Sequence, residues 1–301
     1  MKNDIKLQNL LFIYEKEISK NVKNKKKLYD FEINKMQYLE NIMNMLNNGS
    51  VGHNRYNIFL IYEPKCRLVM SLSVRDKVIN HFVTRYTLEK KLTKYLDDRN
   101  VATRKGMGTD YAIKLVIKYM NKLKQKYNKF YVLKLDISKY FYSIDHDVLK
   151  SLMVDKLDTY EFDIISKIID STNKTYINET INRLKLKNNA DVPLYEYGKG
   201  LPIGNMTSQI LAVYYLNELD HFIKEDLGCK YYVRYMDDLI ILDYGEKFLK
   251  HVFEMVSSKV LEYGLTFNKK SGIYRLSRGF SFLGYTYKTF DGLVVRINNG
   301  T

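Results

Sequence analysis

Asp237 and Asp238 stand side by side between two apolar runs, Tyr231 to Met236 and Leu239 to Leu242. The gap is the length of a two-residue hairpin loop, where Asn-Gly, Asp-Gly or Gly-Gly is favoured because glycine takes a positive φ at little cost. Adjacent carboxylates ease no backbone strain and repel each other, so the pair breaks a local rule, as residues of a working site often do. An isolated Asp-Asp reads more simply as a solvated acidic turn. This pair is not isolated, because Asp136 lies near the end of a third strand-like run, Tyr131 to Ile137. Three carboxylates at strand ends can converge. Such a group suits Mg2+, a hard ion held through one or two carboxylates together with substrate phosphates. Two such ions about 3.5–4 Å apart clamp the attacking and leaving oxygens of an in-line phosphoryl displacement. No protein nucleophile is then required, and with a basic partner surface the chemistry is nucleotide addition to a nucleic-acid end.

The elements that must position these carboxylates follow from periodicity. Residues 5–48 carry apolar side chains at near-helical spacing, and Gly49 and Gly52 end that segment. Tyr56 to Tyr62 reads as a short buried strand closed by Glu63-Pro64-Lys65. Arg75 to Leu96 and Tyr111 to Tyr127 read as helices, with the basic, Gly-containing loop Arg104 to Thr109 between them. After Asp136, Asp145 is the expected N-cap of a helix beginning near His146. Residues 150–190 look helical and then loop-like. A helix from about Thr207 to Lys224, a second from about Glu246 to Tyr263 and a strand from Phe280 to Tyr287 complete the pattern. The order fits an α+β fold built on an antiparallel sheet and preceded by a helical basic lobe.

The chain has 301 residues, 46% of them hydrophobic, which is material for a sizeable core and excludes disorder throughout. Two cysteines, Cys66 and Cys229, cannot form a disulfide framework or a four-thiolate zinc site, which points to a reducing, intracellular setting. No apolar stretch approaches the ~20 residues of a membrane helix, and no signal-peptide pattern opens the chain, so a cytoplasmic protein without membrane partners is expected. The formal net charge is +15, in a composition rich in Lys, Asn, Ile and Tyr that AT-rich codons could supply. Its distribution decides the matter: residues 51–125 carry +10, against +3 for residues 1–50 and +2 for residues 126–301. Uniform drift does not concentrate charge this way, whereas a surface that tracks a polyanion does.

Five segments, in order, carry a family resemblance. Tyr235-Met236-Asp237-Asp238 resembles the Y-x-D-D box of reverse transcriptases, and Leu135 to His146 resembles their first aspartate motif in its bacterial form. Gly200-Leu201-Pro202-Ile203-Gly204-Asn205-Met206-Thr207-Ser208-Gln209 resembles the loop and helix between them. Asn268-Lys269-Lys270 and Phe282-Leu283-Gly284-Tyr285 resemble the last two palm motifs. The resemblance covers roughly residues 55–290. It implies a right-hand polymerase with an N-terminal extension and helical fingers over 1–125, an antiparallel-sheet palm over 126–290, and only the start of a missing or truncated thumb over 291–301. It further implies that Asp136 and Asp237, with Asp238 supporting and the Ile137 carbonyl completing a shell, hold two Mg2+ ions, for which Mn2+ could substitute. Phe141 falls at the steric gate against a 2′-hydroxyl, and Lys270 at the position of a lysine that protonates pyrophosphate. Arg67, assisted by Lys65, matches the finger arginine that grips the triphosphate, a role suited to a bidentate fork. Ile203, Gly204 and Gln209 lie on the loop that meets the incoming nucleotide. Arg75, Lys77, Arg85, Arg99, Arg104 and Lys105 are read as template or primer backbone contacts, although a residue of this kind taken alone is more often a solvated surface charge than a contact. None of the five histidines is given a catalytic or metal role.

Ile203 with Ser208-Gln209 resembles the pattern of diversity-generating retroelements, a branch close to group II intron enzymes, where many reverse transcriptases have Gln and Pro at the first and last of these positions. The implied partners are a template RNA, a primer, dNTPs and a basic accessory protein of the retroelement. Two alternatives stay open: a reverse transcriptase of phage defence, and a degenerate RNA-binding protein that kept the fold and lost turnover.

Overall fold

The computed structural model describes residues 1–63, 65–289 and 293–298; Pro64 of the expected strand-closing turn and parts of the expected 291–301 segment lie outside the described residues. The chain opens with α1 (Leu7–Ile13), α2 (Lys25–Ile33) and α3 (Lys35–Asn47), then β1 (Asn57–Ile61) and β2 (Arg67–Ser71). A π turn joins α4 (Val74–Val83) to α5 (Glu89–Leu92), and α6 (Thr109–Lys126) leads into β3 (Tyr131–Asp136). Next come α7 (Tyr140–Ser143), α8 (His146–Ser151), α9 (Thr159–Ile169) and α10 (Thr175–Asn188), followed by α11 (Met206–Tyr215) and α12 (Asn217–His221). The remainder is β4 (Tyr231–Tyr235), β5 (Asp238–Asp243), α13 (Glu246–Glu262), β6 (Gly272–Arg275), β7 (Phe280–Phe282), β8 (Tyr285–Thr289) and β9 (Leu293–Ile297).

The helices follow the apolar periodicity and break where local chemistry demands. The 5–48 stretch is interrupted by Asn24, whose side chain accepts from Lys27 N and caps α2, and by Asn34 between α2 and α3. The expected Thr207–Lys224 helix splits at Leu216, which leaves the helical conformation. Asp145 caps α8 by accepting from Asp147 N and Val148 N. Strands β2, β6 and β9 had no separate expectation; each is short, and β2 and β6 follow turns too brief to stand out in the periodicity.

Two compact units interleave in sequence. The first takes Met1–Lys94 and Ile144–Tyr214, the second Tyr95–Ser143 and Tyr215–Thr301. In the first, β1 and β2 pair antiparallel from Asn57↔Ser71 to Ile61↔Arg67, with α10 against β1 and α1, α3 and α4 packed together. In the second, the sheet order is β4-β5-β3-β6, all antiparallel, and β7-β8-β9 form a separate three-stranded sheet. Side chains alternate along β3, which settles the two faces. Val132, Ile240 and Leu242 join Val116, Met120 and Leu123 of α6 in one buried cluster with Phe280, Phe282 and Tyr287. Leu133 and Leu135 therefore point to the other face, where α13 packs against β3, β5 and β6. By the same alternation Lys134, Asp136 and Asp238 belong to the α6 face, at the end of the strands. Among the described residues no helix is long and apolar enough to cross a membrane.

Candidate active site

The register of the central sheet brings the carboxylates together. Asp136, the last residue of β3, is the cross-strand partner of Asp238, the first residue of β5. Tyr235 pairs with Asp238, so the turn consists of Met236 and Asp237 and not, as the apolar runs suggest, of the two aspartates. Met236 takes the positive φ of +57° that glycine would usually supply. The one-residue shift matters: Asp238 sits inside the sheet and Asp237 at its tip. Ile137 donates its N–H to Asp237 O at 3.4 Å, which turns that peptide edge towards the hairpin.

Like charges directly opposite in a sheet are destabilising, and at Asp238 they add to burial. Burial first of all pushes its carboxyl up to about 7; Lys134 acts against that, and the neighbouring Asp136 and Asp237 contribute less. Its Oδ1 is buried without a hydrogen-bond partner; the Lys134 ammonium approaches only to 3.9 Å and donates instead to Ser281 O at 2.7 Å. An orphaned carboxylate oxygen among carboxylates, with hard oxygen donors throughout, fits a divalent cation such as Mg2+ or Mn2+. Among the described residues, the one trio of acidic and imidazole ligand atoms within 4.8 Å of one another is instead Asp97, His221 and Glu225. That trio is an ion-pair network: Lys224 donates to Asp97 at 2.6 Å, and His221 bonds Glu225 at 2.8 Å and Tyr95 O at 3.1 Å. Its positive charge is supplied by side chains already present.

Two supports hold the aspartates, and the sequence reading missed both. Asn268 donates through Nδ2 to Asp136 Oδ2 at 2.9 Å and through its backbone N–H to Asp136 O at 2.8 Å, while Asp136 N donates to Ser271 Oγ at 3.0 Å. Asn268 was legible as part of a motif, but Lys270 drew the role; Lys270 itself is exposed, its N–H bonded to Asn268 Oδ1. The second support is Arg234, a fully buried guanidinium. It donates to Asp220 of α12 from Nε at 2.6 Å and from Nη2, and from Nη1 to Met236 O at 2.9 Å. Tyr232 Oη donates to the same Asp220. Arg234 N donates to Arg99 O, and Val101 N donates to Arg234 O, each at 3.0 Å, so the 99–101 segment covers this edge of β4. The available signal was a lone Arg inside the apolar run Tyr231 to Met236.

The other expected residues divide by unit. In the second, Phe141 on α7 is half-buried and meets Tyr140 edge to face at 5.9 Å. Arg104 donates to Asp97 O at 2.8 Å, Arg99 pairs with Asp98 at 3.2 Å, and Lys105 is exposed. In the first, Lys65 and Arg67 are exposed beside the β1–β2 turn. The resemblance loop lies on β2: Met70 N donates to Ile203 O at 2.9 Å, and Gly204 takes φ +113°, where a Cβ would also press on Val69 Cγ1 at 3.2 Å. Gln209 is exposed on α11. Arg75 pairs with Asp76 at 2.7 Å, Arg85 pairs with Glu17, and half-buried Lys77 is lowered by burial and by Lys27. Four of the six basic residues read as nucleic-acid contacts thus have internal partners.

Two stability measurements check this geometry. Asp238→Asn removes the buried repulsion and is expected to raise metal-free unfolding stability by about 1 kcal/mol in denaturant titration; a loss of stability would contradict the repulsion. Arg234→Met leaves Asp220 buried with the Tyr232 hydroxyl but without its cation and is expected to cost about 3–5 kcal/mol, most of it recovered in Arg234→Met with Asp220→Leu. An equal loss in single and double variants would show that the pair is not what the turn rests on.

The reverse transcriptase (RNA-dependent DNA polymerase) family matches residues 62–287. No curated protein sequence matches the chain. Among solved structures, apo telomerase from Candida tropicalis truncated from its C-terminal domain superposes with a TM-score of 0.60 at 15% identity, over 85% of this chain and 59% of that one. Telomerase from Candida albicans, in complex with a TWJ fragment of telomeric RNA, gives a TM-score of 0.56 at 16% identity, over 84% of this chain and 48% of that one. The chain therefore spans less than two thirds of those telomerase chains, and at such identity the likeness is one of fold. The family match covers three quarters of the sequence and contains every one of the aspartates and their supports, and by it the chain belongs to the reverse transcriptase family.

Proposed function

We propose that the chain is an RNA-directed DNA polymerase, transferring nucleotides from dNTPs to a primer on an RNA template by a two-metal-ion mechanism. The observation that carries this reading is Asp136 facing Asp238 in register, with Asp237 at the adjoining turn and a buried carboxylate oxygen left without a partner. Asp136, Asp237 and Asp238, with the Ile137 carbonyl, would hold Mg2+. When bound, the ions neutralise the carboxylates and lower the cost of charge on the attacking and leaving oxygens of phosphoryl transfer.

The rest is positioning by the chain. Asn268 and Ser271 fix Asp136 through both its side chain and its backbone, and Arg234 fixes the turn that presents Asp237. In the reaction the primer 3′-hydroxyl releases its proton to solvent as its oxygen bonds to the α-phosphorus, the bond to pyrophosphate breaks, and a separate proton must reach the departing pyrophosphate. Lys270, exposed on the loop that carries Asn268, is the donor for that proton in this reading. Arg67 and Lys65 grip the triphosphate, and the Phe141 ring excludes a 2′-hydroxyl. Lys77 and Lys105, which have no acidic partner among the described residues, are the better placed of the basic residues for phosphate contacts; Arg75, Arg85, Arg99 and Arg104 would have to exchange an internal partner for nucleic acid. The family match supports an RNA template, and one of the structures of similar fold is a telomerase in complex with a fragment of telomeric RNA.

The loop Ile203 to Gln209 favours a retroelement that diversifies a target gene, because an aliphatic side chain at Ile203 cannot hydrogen-bond an incoming base pair or sugar. Primer extension on an RNA template with dNTPs and Mg2+ tests the reading: Asp237→Ala is expected to lower extension by about 10³-fold or more while retaining RNA binding. RNA binding without extension by the wild type would favour the degenerate binder. Steady-state misincorporation opposite template adenine is expected to fall by about tenfold in Ile203→Gln; equal rates would remove the retroelement argument.

A further inference from the structure

A buried network of neutral polar groups in the first unit reaches the 200–207 loop, and its hydrogens can be placed one by one. Asn80 Nδ2 lies 2.9 Å from Asp76 O and 2.6 Å from His53 Nε2. A carbonyl only accepts, so the amide nitrogen must face it, and the second Asn80 hydrogen goes to Nε2. That nitrogen is therefore bare. On the other side of the ring, Ser171 Oγ gives its hydrogen to Ile168 O at 2.7 Å, so Tyr56 Oη must give its own to Ser171 at 2.8 Å. Tyr56 Oη then accepts from His53 Nδ1 at 3.0 Å and from Asn205 Nδ2 at 3.2 Å. Thr207 Oγ1 completes the chain by donating to Asn80 Oδ1 at 2.7 Å. His53, Tyr56, Asn80, Ser171, Asn205 and Thr207 are all buried.

We propose that His53, fixed as the neutral Nδ1–H tautomer, is a positioning residue: it joins the Asn205 and Thr207 anchors into one lock that holds the Ile203–Asn205 loop on β2. The inference rests on the reading of that loop as the grip on the incoming nucleotide. Among the described residues, Ile203 to Thr207 are tied by Met70 N to Ile203 O, Asn205 Nδ2 to Tyr56 Oη and Thr207 Oγ1 to Asn80 Oδ1, of which the first alone is independent of the network; Gly200 and Leu201 are held separately by Ile144, His146, Thr172 and Tyr195. A proton on Nε2 would set two donors against each other; turning the Asn80 amide to relieve them would set its oxygen against Asp76 O and break the Thr207 Oγ1 donation to Asn80 Oδ1. The surroundings agree. The Asp76 carboxylate, the one group that favours a charged ring, is saturated by Asn54 N, Ser73 Oγ and Arg75. Arg75 and Lys174 oppose the charge, Tyr56 and Tyr176 are neutral, and burial first of all brings His53 down to about 4. The lock thus stays closed throughout the neutral range.

The test uses the full chain. Nitrogen-15 NMR of labelled histidine is expected to show His53 as Nδ1–H with no titration between about pH 5.5 and pH 8. In Thr207→Val, amide exchange at residues 203–206 is expected to quicken by about tenfold, with the KM for dNTP rising about fivefold and kcat holding within about twofold; Thr207→Ser restores the wild-type values. An Nε2–H or charged His53, unchanged exchange in Thr207→Val, or faster exchange without a change in KM would each overturn the proposal. Should Thr207→Val not fold, the wild-type tautomer decides. A wild type that fails to extend primers sinks the polymerase reading, whereas the tautomer and exchange measurements still report on the lock.

Discussion

The antiparallel register of β3 and β5 sets two carboxylates against each other at the end of a sheet, and much of the second unit answers that constraint. Left to itself, a strand end carrying facing aspartates would fray, because separating the strands relieves the repulsion. Here the strands cannot separate cheaply: Val132, Ile240 and Leu242 are locked under α6, and Leu133 and Leu135 lie on the α13 face. The apolar middle of the sheet holds the acidic end in place. Asn268 and Ser271 then fix Asp136 from the β6 side, and Arg234 fixes the turn from the β4 side.

Arg234 shows why a buried charge can serve geometry better than an apolar residue. Its fork binds the Asp220 carboxylate in one direction and the Met236 carbonyl in another, and only a planar guanidinium spans both. The Met236 carbonyl belongs to a non-glycine residue at positive φ, a conformation that needs its surroundings to enforce it. A hydrophobic pair would serve stability as well or better, but nothing apolar could hold a carbonyl at that angle.

Much of this was legible in the sequence, and the gaps have physical causes. Strand-like runs around three aspartates were enough to bring them to one end of a sheet, because apolar runs and acidic ends are contiguous signals. The hairpin was read one residue late because composition marks Met236 as strand and cannot reveal that tertiary contacts force it into a turn. Asn268 and Arg234 act through partners 132 and 14 positions away, and no spacing rule reports such pairings. The charge map had the same limit. The +10 of residues 51–125 is a property of the sequence, but Arg75, Arg85, Arg99 and Arg104 each meet an internal acceptor that periodicity does not predict.

The two units meet the demand for placement with opposite chemistry. In the second, charges are buried and paired, so strength comes from the low dielectric and tolerance of change is poor. In the first, the loop is tied by neutral donors and acceptors whose hydrogens have one consistent arrangement. Such a network is weaker per bond, yet its order is stricter, since reversing the Asn80 amide sets acceptor against acceptor at Asp76 O and adding a proton to His53 Nε2 sets donor against donor. A carboxylate cluster that is to hold cations should be rigid in position and responsive in charge. A loop that is to meet each nucleotide alike should be indifferent to pH, and a histidine kept neutral by the groups around it provides that indifference better than any ion pair could.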